Sequence, residues 1–161
     1  MKGGCGFYVK DNFTPIPRTD LEFKIDNIGS ECENCWIELV NNSGPNVLVG
    51  VFYRHPSREN SLFLSKLKST LKKINGEKKK TIICGDFNLN LLNFEHDKQT
   101  GSFLSTMFQN NFQPCITEPT MCKKESGVII ASKFKFNLLS VTKSSHDNNL
   151  AECISRLGSL M

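Results

Sequence analysis

A double change of hydrophobic period between residues 47 and 84 constrains this chain more than any other feature. Residues 47–54 (VLVGVFYR) form a β-branched and aromatic run that predicts a strand. After Pro56 the apolar positions shift to Leu64, Leu67, Leu71 and Ile74, with Lys66, Lys68, Lys72 and Lys73 on the other faces. Spacings of three and four predict an amphipathic helix over residues 60–74, stopped by Asn75-Gly76, since either residue tolerates the left-handed conformation of a helix end. The period then reverts: residues 81–84 (TIIC) predict a strand running straight into Gly85-Asp86-Phe87-Asn88.

The flanks add shorter elements. Residues 5–10 (CGFYVK), 21–26 (LEFKID) and 35–40 (CWIELV) predict further strands, and the turn-forming residues 41–46 join 35–40 to 47–54 as an antiparallel hairpin. A second helix is expected over 99–111, with Phe103, Leu104, Met107 and Phe108 as its apolar stripe, followed by an extended segment at 113–117. Residues 128–130 and 134–141 are apolar enough for strands but carry no turn or cap signals. With 161 residues and neither repeat nor linker, one domain is expected.

Composition narrows the functional classes. A chain with 39% hydrophobic residues and 12 Phe is globular, and no apolar run approaches the roughly 20 residues of a membrane span. The net charge of +4 is compatible with a polyanionic partner but does not require one. Lys78, Lys79 and Lys80 are read as a solvated loop or as phosphate contacts. Seven cysteines and no secretory signal point to a reducing intracellular compartment, nuclear or cytoplasmic. Cys32 and Cys35 form one C-x-x-C, but no second pair follows at finger spacing, and Cys115 and Cys122 lack a nearby His, so zinc is not expected.

Two strand ends carry the candidate chemistry. Asp86 can bind a divalent cation or take a proton from water, and Asn88, two residues on along the strand, can donate to a phosphoryl oxygen. The plainer reading is a strand-to-turn junction, where both residue types are common. Tyr53, at the end of 47–54, can hydrogen-bond a phosphate, with Arg54 or His55 adding positive charge; the plainer reading is a packed aromatic. His55 and His96 read as exposed loop residues, and Glu38 faces neither motif.

The order GFYVKDN, VGVFYRHPS, a Leu/Lys helix, IICGDFNLNLL, Phe103-Leu104 and ITEPT, spanning residues 3–120, resembles the endonuclease domain of non-LTR retrotransposons, within the endonuclease/exonuclease/phosphatase family. The resemblance implies a DNase I-like two-sheet α/β sandwich. It implies a magnesium- or manganese-dependent phosphodiesterase that nicks DNA by attack of water on phosphate. It further implies that Asp86 activates the water and binds the metal, Asn88 holds Asp86 and the phosphate, Tyr53 binds the phosphate, and His146, after Ser144 and Ser145, steadies it. The family's Asn and metal-binding Glu lie upstream of the segment matching residues 5–10, and its Ile-Asp pair has no counterpart near GVIIASKF. The expectation is therefore a single partial domain over 1–161, divergent over 121–161, lacking its first strands, binding its cation poorly and cutting weakly or not at all. Two other readings share the fold: a catalytically dead relic or nucleic-acid-binding module, and a small-molecule phosphatase.

Overall fold

The structure is a computed structural model and describes residues 5–11, 13–25, 32–41, 44–56, 61–114 and 128–132. Its strands are β1 (Thr14–Pro17), β2 (Cys32–Val40), β3 (Val47–Arg54), β4 (Lys80–Asp86), β5 (Phe112–Pro114) and β6 (Val128–Ser132), with helices α1 (Ser61–Glu77) and α2 (Lys98–Gln109). The six strands form one sheet in the order β1-β2-β3-β4-β6-β5. β3 and β4 are parallel, as a strand pair joined through a helix can be, and every other neighbouring pair is antiparallel.

Strand alternation divides the core between the two faces of this sheet. On one face Trp36, Leu48, Phe52 and Ile83 pack with Phe63, Leu67, Leu71 and Ile74 of α1 and Phe103 and Met107 of α2. On the other, Leu39, Val47, Val49 and Ile82 form a smaller cluster, against which Phe7, Val9, Phe13 and Ile37 pack. Gly50 leaves room for the Trp36 ring, which a β-carbon at that position would meet at 2.6 Å. The chain is thus mixed α/β, as expected; a second sheet is not found among the described residues.

The hairpin, β3, β4, α1 and α2 fall where the pattern puts them. Four local readings need correction. Residues 5–10 are extended but belong to no ladder; Phe7 and Val9 lie on the second face of the sheet while Tyr8 faces water. Of the predicted strand 21–26, the described residues 21–25 form none: a 3-10 turn covers Thr19–Leu21, and among them Ile25 alone forms a bridge, to Cys32, while residue 26 lies outside the described residues. Asn34 fixes this segment by accepting from the Phe23 amide at 3.3 Å and donating back to the Phe23 carbonyl. α1 runs through Asn75-Gly76 to Glu77, and Lys78 takes the left-handed position at φ 55°. Phe108, expected in the apolar stripe of α2, is exposed.

β1 escaped the sequence reading because two of its four residues are proline. It is an edge strand: Arg18 N–H reaches the Trp36 carbonyl at 2.9 Å, so residues of even number point their backbone groups at β2. Pro15 and Pro17 therefore face the open edge, where a missing N–H leaves nothing unpaired and discourages another strand from adding.

Candidate functional site

The parallel pairing of β3 and β4 sets Tyr53 directly beside Asp86. Alternation from Val49 to Tyr53 and from Ile82 to Asp86 puts both side chains on the second face, at the C-terminal ends of their strands. Ligand sites in open α/β sheets favour that edge. Asp86 is exposed and Tyr53 half-buried, so both can meet a solute.

Gly85 makes the approach possible. At φ +141° it lies where side-chain-bearing residues are strained, and a β-carbon there would fall 1.9 Å from the Phe52 carbonyl oxygen. Next, Phe87 turns inward and is fully buried, stacking on Phe52 at 5.4 Å and meeting Phe103 at 5.1 Å. Anchoring Phe87 in that aromatic cluster, with Leu89 also buried, sends Asp86 outward at a fixed height. The sequence reading missed this role, although an aromatic between two polar residues at a strand end was the available signal.

Asn88 does not continue the strand. It adopts the left-handed conformation at φ 49°, which asparagine tolerates better than most residues. Its backbone N–H donates to Asp86 Oδ1 at 3.0 Å, and its Nδ2 donates to the Arg54 carbonyl at 2.6 Å. So the structure brings Tyr53, Asp86 and Asn88 together, but Asn88 arrives by a turn rather than by strand alternation. Glu33 shares the row: it is registered opposite Tyr53 on β2, on the same face, with Asp86 on the far side of the tyrosine. Sequence alone hid it, because the hairpin register had to be known first.

Other expectations change. Arg54 supplies no surface charge; it is 2% exposed, on the helix face, with its guanidinium 5.4 Å from the Phe63 ring centre. His55 and His96 are exposed, as expected. Lys79 is ion-paired rather than free in solvent, since its Nζ lies 2.7 Å from Glu38 and 2.9 Å from Glu77. Arg18 also binds both carboxylates, which places Glu38 in an ion network at the opposite end of the sheet. Cys32 and Cys35 sit three apart on one strand and hence on opposite faces, so they cannot share a metal. Burial pushes both thiols up to about 12, far from the thiolate that zinc requires. His146, residues 115–117, the ITEPT stretch and residues 134–141 lie outside the described residues.

A hard divalent cation does not fit the described residues by themselves. Asp86 is suited to be one ligand, but no group of three or more His, Cys, Asp or Glu side chains among them could hold an ion. Among the same residues no helix is long and apolar enough to cross a membrane.

No protein-family model matches the chain, and no curated protein matches it. Among solved structures it is similar to the endonuclease domain of TRAS1, a telomere-specific non-LTR retrotransposon, with a TM-score of 0.59 at 14% identity over 76% of this chain. The chain spans 55% of that domain, about half its length. It also matches the catalytic domain of human Nocturnin, solved with a bound sulfate anion, at a TM-score of 0.45 and 21% identity over 65% of this chain and 42% of that one, too distant to bear on the site. At such identities the likeness to the endonuclease domain shows the fold, which is DNase I-like.

Proposed function

We propose that this chain is part of a phosphodiesterase domain that holds a DNA phosphodiester at the C-terminal rim of β3 and β4 and hydrolyses it by attack of water. One observation carries the reading: Tyr53 and Asp86 stand side by side while Asn88 is hydrogen-bonded to both strand ends. In this arrangement the Tyr53 hydroxyl donates to a nonbridging phosphoryl oxygen. Asn88 has one amide proton committed to Arg54, and its second would reach the same phosphate. Asp86, with Oδ1 held by the Asn88 N–H, turns its other oxygen to the attacking water and takes its proton as the water oxygen bonds to phosphorus; the opposite P–O(sugar) bond breaks, and the departing sugar oxygen takes a proton from solvent.

Magnesium or manganese is the cofactor this reading implies, with Asp86 among its ligands and charge neutralisation at the phosphate as its contribution. The family's Ile-Asp pair has no counterpart near GVIIASKF, which leaves the cation one oxygen ligand fewer, so cutting is expected to be slow. That shortfall favours a second reading, a module of the same fold that binds DNA without cleaving it.

Nicking of supercoiled plasmid by the full chain, with and without added magnesium or manganese, tests both. The enzyme reading predicts slow, metal-dependent nicking that falls at least about tenfold in Asp86→Ala and in Asn88→Gly. Retention of DNA without nicking supports the binding module. A chain that neither nicks nor retains DNA, or one whose nicking ignores Asp86→Ala, overturns the proposal.

A further inference from the structure

The side chain that fixes the site from beneath is Arg54. Its guanidinium is buried beneath the rim, where Nη1 donates to the Phe87 carbonyl at 3.0 Å. Its own carbonyl accepts the Asn88 side-chain amide at 2.6 Å. One residue therefore grips the Gly85–Asn88 turn at two successive positions, through its side chain from inside the core and through its backbone from the strand end. The Phe63 ring lies 5.4 Å away, and the Asp97 carboxylate, which caps α2 by accepting from the Gln99 and Thr100 amides, acts on Arg54 electrostatically. Burial disfavours the charge of this guanidinium, so its cost must be met by groups held in place around it.

Resting on the phosphodiesterase reading of this rim, we infer that Arg54 is a positioning residue that locks Asn88, and through it the Asp86 carboxylate, in the geometry that receives a phosphate. It touches no solute; it acts by deciding where Phe87 and Asn88 sit. A guanidinium suits the task because it is planar, always charged, and presents several donors in a fixed fork, so it can hold a carbonyl while its face meets an aromatic ring. A lysine ammonium has neither the plane nor the reach in two directions. The arginine that sequence alone suggests for phosphate contact thus serves the site from the opposite side of the sheet.

Nuclear magnetic resonance of the full chain, with Arg54→Lys and Arg54→Met beside the wild type, provides the test. In the wild type the Arg54 guanidinium protons should be resolved, slow to exchange and close in space to Phe87, and the Asn88 side-chain amide should exchange slowly. In both variants the Asn88 amide should exchange at least about tenfold faster, and kcat/KM for nicking should drop about tenfold, because a displaced Asn88 loses its donor bond to the phosphate as well as its hold on Asp86. Arg54→Lys should not restore the wild-type rate although it keeps the charge. If both variants fail to fold, the wild-type resonances still decide: a guanidinium in fast exchange overturns the inference. So do folded variants whose Asn88 amide exchange and kcat/KM match the wild type. Should the wild type prove unable to nick, the phosphodiesterase reading fails on its own while the exchange measurements continue to decide the role of Arg54.

Discussion

The two ends of the β3–β4 pair are built on opposite principles. At the N-terminal end the charges form a network: Glu38, 7% exposed, accepts from Arg18 at 3.1 Å, Lys79 at 2.7 Å and Asn46 at 2.7 Å, while Glu77 closes it with both cations. The left-handed residue there, Lys78, merely ends a helix. At the C-terminal end Asp86 faces solvent, Gly85 and Asn88 hold unusual backbone conformations in close succession, and an arginine is buried below them. Strain and exposed polar groups are concentrated at one rim, which is where the proposed function places the phosphodiester, whereas the ion network at the other end holds the sheet together.

The contrast can be broken most forcefully at Gly85. Gly85→Ala sets a methyl group against the Phe52 carbonyl and should cost on the order of 3 kcal/mol, read as a large fall in the urea midpoint. If the variant melts like the wild type, the rim is not strained. At the other end, Glu38→Gln leaves Arg18 and Lys79 short of a counter-charge and should cost about 2 kcal/mol, with plasmid nicking unchanged. A parallel loss of nicking would mean that the two ends are not separable.

Acid sharpens the same difference. Burial raises the Glu38 carboxyl, but its bonds to Lys79, Asn46 and Arg18 outweigh that and hold it below its ordinary 4.5; Arg18 holds Glu77 down likewise. Both groups have depressed values in the folded chain, so their stabilisation is complete above pH 4.5 and is lost as pH falls through the lower folded values. The melting temperature should therefore be flat near neutrality and decline below that pH, with a shallower decline in Glu38→Gln. The smallest effect is expected at the rim itself: Asp86→Ala should change stability by no more than about 0.5 kcal/mol, since the side chain is exposed. A larger loss in equilibrium unfolding would make Asp86 a structural residue instead.

Legibility in the sequence follows the same division. Where period is decisive the reading succeeds: Val47–Arg54, the α1 stripe and the strand entering Gly85 need only local pattern. It fails where a long-range partner overrides local preference. Gly76 does not stop α1, because Glu77 one residue later is held by Arg18, which is distant in sequence. Thr14–Pro17 looks like a loop until β2 supplies its partner, and Cys5 to Lys10 looks like a strand although no ladder receives it. Of the site, residues 53, 86 and 88 were legible as polar groups at strand ends. The burial of Arg54 follows from its parity with Leu48 and Phe52, yet charge alone suggested the surface. Glu33 and Phe87 needed the register and the packing.

The central claim is that one phosphodiester is received where the ends of β3 and β4 meet. Titrating the isotope-labelled chain with a short single-stranded DNA and following backbone amide shifts tests it most directly. Saturable shifts clustered at residues 53–55 and 85–88, weakened in Asn88→Gly, are the predicted result. Shifts confined to the Lys78–Lys80 end, or none at concentrations where the chain retains DNA, would contradict it.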